Sequence, residues 1–324
     1  MMLNIIFVIA GFMLLVKGAD YLVDGSSSIA RRFGISTLVI GLTVVAFGTS
    51  APELTINILS AVSGRTELAL ANVNGSNIAN ILLILGITAF LTRIPVRSRT
   101  VLKEIPFMLL SGFVIVILML DMVLEGAGSS EISRIDGIIL LSFFAIFMYY
   151  LFLSIKETGA AKVEREKRSL SSSSMLTIAG LIGLIVGGYL AVEGASGIAL
   201  GLGISETLVG LTIVAIGTSL PELVAAVVAA RKNEIDLAVG GVVGSNIFNI
   251  LLVLGATSVI QPITINQRGL EDAIAALAAM ILLFFALFTD KSPAHFKTRS
   301  INGKTGAVFL FIYVAYIVYI VIRG

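Results

Sequence analysis

The chain has 324 residues, of which 57% are apolar and only 13% charged, and its mean hydropathy is +1.04. Soluble domains carry about 25% charged residues, so so few charges cannot cover a globular surface, and a soluble fold is excluded. A net charge of +2 gives no electrostatic basis for binding nucleic acid, and the absence of cysteine removes disulfide and thiol chemistry.

Polar breaks divide the chain into ten apolar spans: 3–29, 35–62, 67–91, 105–124, 135–155, 174–196, 204–230, 236–260, 271–289 and 305–322. About 20 apolar residues suffice to cross a bilayer as a helix. The first span lacks a basic leader and a small-residue cleavage site, so it reads as a membrane helix and not a signal peptide. Near its inner end, Lys17, Asp20 and Asp24 read as a snorkelling group whose members pair with each other. There is no Trp, so an aromatic belt must come from the seven Tyr. Residues 156–174 are charged, then serine-rich, with no apolar face, and read as a solvated linker. The basic run at 162–168 is expected to touch anionic lipid. Asp121, Glu125 and Glu131 fall on the other side.

Lys and Arg give the expected orientation. Seventeen of the 22 lie in the connections after spans one, three, five, seven and nine, against Arg65, Arg134, Arg268 and Arg323 on the other side. Those connections are expected in the cytoplasm, with both termini outside the plasma membrane.

The sequence repeats itself. Residues 41–54, GLTVVAFGTSAPEL, recur at 210–223 as GLTIVAIGTSLPEL, with 11 of 14 identical. Residues 75–86, GSNIANILLILG, recur at 244–255 as GSNIFNILLVLG, with ten of 12 identical, and both pairs share one offset of 169. Five spans per copy is an odd number, so the second copy must enter the membrane from the opposite side. The expected fold is all-α and integral to the membrane. Ten transmembrane helices form two inverted five-helix repeats, residues 1–155 and 175–324, with broken helices at the midplane and a cytoplasmic linker at 156–174. This is an architecture of secondary transporters.

The repeated segments carry the polar chemistry. Pro52 has no N–H, which frees the carbonyl of Gly48 in the middle of an apolar span, and Pro221 repeats this. Backbone freed at that depth survives where it is buried in protein or lines a cavity. Thr49, Ser50 and Glu53 share a helix face, as do Thr218, Ser219 and Glu222. Ionisable groups inside the membrane are costly and mark function. Ser76 with Asn80, and Ser245 with Asn249, are four apart and share faces, whereas Asn77 and Asn246 are expected to point elsewhere. Gly75, Gly86, Gly244 and Gly255 are expected to allow close helix packing. Two carboxylates, hydroxyls, amides and freed carbonyls make an all-oxygen site, which suits a hard cation such as Ca²⁺ with its six to eight oxygen ligands. A hydrolase is disfavoured: His295, the only His, lies in a basic loop, and the paired acids are Glu and not Asp.

At these residues the chain resembles the cation/Ca²⁺ exchanger superfamily, in its sodium/calcium exchanger branch, whose two signature repeats carry Gly-Thr-Ser-x-Pro-Glu and Gly-Ser-x-x-x-Asn/Asp. The likeness spans nearly the whole chain, with signature segments at 41–86 and 210–255. The resemblance implies four cation sites lined by Thr49, Ser50, Glu53, Ser76, Asn80, Thr218, Ser219, Glu222, Ser245 and Asn249, with the carbonyls of Ala46 and Ala215. Glu53 and Glu222 would bind Ca²⁺ directly, and the first and sixth helices would slide to alternate access. By the same resemblance, some prokaryotic and all potassium-dependent relatives carry Asp where Asn249 stands, which puts K⁺ co-transport in doubt. The proton/calcium branch's Gly-Asn-x-x-Glu pattern is absent. The expected function is electrogenic, K⁺-independent Na⁺/Ca²⁺ antiport, with H⁺/Ca²⁺ antiport and a passive cation channel as alternatives. The expected partners are Ca²⁺, Na⁺ and membrane lipid, with no cofactor and no required protein partner.

Overall fold

The computed structural model describes residues 1–121, 130–157, 168–203, 215–289 and 298–323. Glu125, His295, the basic run at 162–167 and the start of the seventh span, with residues 210–214 of the second signature, lie outside the described residues.

The described chain is helical, in the order α1 (Met2–Phe33), α2 (Thr37–Thr49), α3 (Ala51–Val62), α4 (Thr66–Leu91), α5 (Ser98–Leu118), α6 (Arg134–Glu157), α7 (Leu170–Gly201), the single turn α8 (Ala215–Gly217), α9 (Leu220–Arg231), α10 (Ile235–Ile260), α11 (Gln267–Thr289) and α12 (Gly303–Arg323). Among the described residues, eight helices are long and apolar enough to cross a membrane alone, and α2 with α3 forms one further span bent by 45°. The remaining expected span is the seventh, of which α8 and α9 are described.

Burial divides these helices into layers. The most apolar stretch of α10 is 94% buried and that of α4 78%, against 22% for α1 and 17% for α12. α4 and α10 are therefore the centre of the bundle, and they carry Ser76, Asn80, Ser245 and Asn249. Small residues explain why α10 can sit there: the α-carbon hydrogen of Gly244 occupies a place where a Cβ would lie 2.7 Å from the Cβ of Ala46 and 2.9 Å from the Cα of Leu42. Gly75, expected to do the same for α4, has open space around it, so its packing role is not found. Each central helix contains a wider π-helical stretch, Ala79–Ile84 in α4 and Asn249–Leu254 in α10, which begins at or beside its site asparagine. Such bulges are frequent at functional positions.

Two short antiparallel ribbons cap the bundle, β1 (Ile94–Arg97) with β4 (Thr298–Ile301) and β2 (Glu131–Ile132) with β3 (Ile263–Thr264). They were not legible as strands in the sequence. Adding 169 to β1 gives the position of β3, and adding it to β2 gives that of β4. The two ribbons are thus mirror copies, one at the linker face and one at the face of the chain termini.

The long helices α1 and α7 pack antiparallel along their length. Gly11, Gly18 and Gly25 recur every seven residues, and Gly180, Gly187 and Gly194 are the same three positions shifted by 169. A Cβ on Gly18 would stand 2.8 Å from the backbone N of Leu184, and one on Gly180 would stand 2.4 Å from that of Leu22. Only glycine permits backbones this close, and dispersion and packing hold helices together in lipid where no hydrophobic effect does. Gly18→Val should therefore destabilise the fold by about 3 kcal/mol, at the upper end for overpacking because backbone cannot move aside. Gly75→Ala should be neutral or stabilising. Thermal melts of both variants in one detergent check this contrast.

Candidate cation site

The helix break is local chemistry. Ser50 (φ −82°, ψ 3°) and Ser219 (φ −89°, ψ 2°) leave the helical region in the same way, and Pro52 and Pro221 follow in the first turns of α3 and α9. Proline is tolerated there because first-turn N–H groups have no helical partner. Glu53 and Glu222 occupy those same first turns, where the helix dipole favours negative charge. The chain thus bends at the serine, two residues before each proline. The Ala46 carbonyl, implied as an ion ligand, accepts the Ser50 N–H at 3.0 Å and the Thr49 hydroxyl at 3.5 Å, so only its remaining lone-pair capacity is open. Ala215 begins the short turn α8.

Glu53 is 1% exposed and Glu222 5%. Ser76 Oγ donates to Glu53 Oε1 at 3.3 Å, joining α3 to α4. Thr49 Oγ1 donates to the Val45 carbonyl at 3.0 Å and lies 3.4 Å from Ser245 Oγ, joining the first half to the second. The Thr49 hydroxyl and Glu222 also line one narrow crevice. Asn249 Nδ2 donates to Asn77 Oδ1 at 3.2 Å, a second bond between halves. Around these contacts a set of buried polar atoms has no hydrogen-bond partner: Ser50 Oγ, Glu53 Oε2, both amide atoms of Asn80, Ser219 Oγ, Glu222 Oε2 and Asn249 Oδ1. Leaving a buried acceptor unmade costs about 1–3 kcal/mol, more when it is charged. Most of the orphaned atoms are oxygens, the donor type a hard cation takes.

The structure thus brings Thr49, Glu53, Ser76, Ser245 and Asn249 into contacts with one another or across the halves. Ser50, Asn80 and Ser219 are buried beside them without partners. Thr218 is partly exposed and lines an open cleft.

That cleft runs between α3, α7 and α9, with Pro52, Thr55, Tyr189, Glu193, Thr218 and Pro221 among its walls. It leads from the termini face to the two helix breaks. Towards the linker face the route is narrow and apolar, lined by Leu22, Val45, Ala225 and Ala229. Ion pairs close that end. Lys232 Nζ lies 2.8 Å from Asp24 Oδ1 and 3.1 Å from Asp20 Oδ1, and Arg31 Nη1 lies 3.0 Å from Glu234 Oε1. Partial burial favours the neutral amine of Lys232, but the hydrogen bonds and charges of Asp24 and Asp20 prevail and hold its pKa above the usual lysine value. Asp20 and Asp24 were expected to pair with Lys17 on their own helix. They pair instead with Lys232 of the other half, and Asp24 also faces Arg168 at 3.6 Å, because α1 packs against α9 where its linker end descends.

Several polar residues near the site were not singled out from sequence. Asn57, one turn after Glu53, donates to the Ala69 carbonyl at 3.1 Å and accepts from Asn72 at 2.8 Å, pinning α3 to α4. Their signal was available, since both amides lie in apolar runs with no counterpart in the second half, where Ala226 and Gly241 stand. Asn77 was expected to point away from the site. It is fully buried and bonded to Asn249 instead, because it lies only three residues before Asn80, on neighbouring positions of the helix surface that α10 packs against.

Comparison with known proteins bears on what this site handles. The family model described as sodium/calcium exchanger protein matches residues 3–153 and 172–322. Putative antiporter CaxA of Alkalimonas amylolytica is 37% identical over 327 residues, covering 98% of each chain. Sodium/calcium exchanger MaX1 of Methanosarcina acetivorans is 29% identical over 351 residues, covering 97% of each. A solved structure of the sodium-calcium exchanger NCX_Mj matches with a TM-score of 0.83 at 34% identity, covering 98% of both chains.

Proposed function

Because the chain belongs to the sodium/calcium exchanger family, we propose that it is a multi-pass antiporter that moves Ca²⁺ out of the cell against inward Na⁺, through one site that opens to each face in turn. Members of this family are membrane exchangers and not enzymes. The observation that supports the reading best is the pair of buried carboxylates, one from each inverted half, each with an orphaned oxygen beside orphaned hydroxyl and amide groups. Two carboxylates carry two negative charges, which match one Ca²⁺. Charge matching matters here because Coulomb energies grow as the dielectric falls. The same oxygens can serve several Na⁺ in turn.

Removing one charge leaves the dication under-compensated. Glu222→Gln should weaken Ca²⁺ binding by about 3–5 kcal/mol, the scale for breaking a buried charge pair, and reduce exchange to background. Uptake of ⁴⁵Ca²⁺ into Na⁺-loaded proteoliposomes tests this. Normal flux in the variant, or wild-type flux that follows a pH gradient and ignores Na⁺, overturns the reading.

With three Na⁺ per Ca²⁺, as the family resemblance implies, one positive charge crosses per cycle. Voltage should then bias flux by about 2.3 kcal/mol per 100 mV. Asn249 supplies a neutral oxygen, so no third carboxylate is at hand to hold K⁺ beside Ca²⁺. Flux in voltage-clamped vesicles should depend on potential and persist without K⁺.

Alternation follows from the symmetry of the sequence set against the asymmetry of the structure. Lys232 meets Asp24 and Asp20 at the closed linker face. Shifted by 169, those positions are Ser63, Glu193 and Tyr189, and Glu234 becomes Arg65. Glu193 and Tyr189 now line the open cleft. In the opposite state Glu193 closes onto the turn that holds Ser63 and Arg65. The chain has no cysteine, so a pair introduced at Ser63 and Glu193 should form a disulfide during turnover and arrest exchange until reduced. Failure of this pair to cross-link, while cysteines at Asp24 and Lys232 do, removes the mirrored state.

A further inference from the structure

Asn77 sits outside the set of residues that resemblance assigns to ions, yet the structure ties it to one of them. It is fully buried in α4, and its Oδ1 accepts Nδ2 of Asn249 in α10, 172 residues away, at 3.2 Å. That bond uses the amide nitrogen of Asn249 and leaves its Oδ1 without a partner on the other side of the same planar group. We propose that Asn77 is a positioning residue that holds the Asn249 carboxamide with its oxygen, and not its amino group, presented to the transported cation. The proposal rests on the reading above that Asn249 is a cation ligand.

The physical need arises from the carboxamide. A carboxylate presents oxygen whichever way it turns. A carboxamide has one oxygen and one NH₂, and a half-turn about its terminal torsion sets positive hydrogens against the cation. A neighbour that favours one orientation therefore improves an Asn ligand, as groups behind metal ligands commonly do. In this structure Asn77 turns its own oxygen to that nitrogen, with its Nδ2 left unpartnered, and so favours the orientation in which Asn249 Oδ1 faces away from it. The mirror pair is Asn80 with Asn246. There the bond is not made: Asn246 Nδ2 donates to the Val242 carbonyl at 2.8 Å, and Asn246 Oδ1 and the Asn80 amide remain unpartnered. Only one of the two equivalent clasps is closed in this structure.

The test measures Ca²⁺ affinity, Ca²⁺/Na⁺ selectivity and thermal stability in purified, reconstituted protein. Asn77→Leu keeps the size and removes the acceptor, and should weaken Ca²⁺ affinity by about tenfold or more, the usual effect of losing such a support. Asn77→Asp can only accept, holds Asn249 the same way, and should bind Ca²⁺ no more weakly than the wild type. In an Asn249→Ala background, Asn77→Leu should have no further effect on affinity, because the group it orients is gone. A purely structural Asn77 would lower stability in both backgrounds and leave affinity changes additive, which overturns the proposal. Unchanged Ca²⁺ affinity in Asn77→Leu also overturns it. Glu53→Gln runs in parallel: if that variant binds Ca²⁺ normally, the cation site itself is misplaced, whereas loss in Glu53→Gln with no loss in Asn77→Leu refutes the positioning role alone.

Discussion

A carboxylate placed inside an apolar bundle sets the terms for the rest of this structure. Such a group is costly unless charge and hydrogen bonds compensate it. Glu53 has one side-chain donor, Ser76, and each of the two glutamates keeps one oxygen unpartnered. The surrounding helices hold them there regardless. The helix breaks at Ser50 and Ser219 place both acids at helix N-termini, and the two most buried helices supply the hydroxyls and amides that face them. These unpartnered carboxyl oxygens are the ground for the cation site proposed above.

The two halves share a sequence pattern and one scheme of contacts. The ribbons at opposite faces are copies of each other, and the glycines of α1 and α7 fall at equivalent positions. The glycine contact joins backbone to backbone with few side chains between, so the two helices form a smooth pair set beside the central bundle. Ion pairs between this pair and the α9–α10 turn close one face, while the cleft at the other face stays open. Equal halves in unequal contacts are what an exchanger needs in order to expose one site to two sides.

The halves also differ where chemistry differs. Asn57 and Asn72 bond α3 to α4 in the first half, and Ala226 and Gly241 replace them in the second. The apolar substitutes line the narrow route to the linker face, where polar groups would hold water. Departures from the repeat are therefore as informative as the repeat.

The sequence by itself determined the membrane class, the inverted repeat and the recurrence of Glu beside Pro in two apolar spans, because composition, an offset of 169 and a short motif are all local patterns. The kink was legible for the same reason, since proline lacks a donor wherever it stands. Other features belonged to the tertiary structure. Strands β1 to β4 have few residues and no period of their own, and exist only because segments from opposite halves meet. Asp24 has a lysine on its own helix, yet helix packing gives it Lys232 instead. Asn77 stands three residues before Asn80, close to it on the helix surface, and the packing of α4 against α10 brings it to Asn249. Spacing along one helix fixes which residues share a face. Which residue of another helix arrives at that face is set by packing, and packing depends on the whole chain at once.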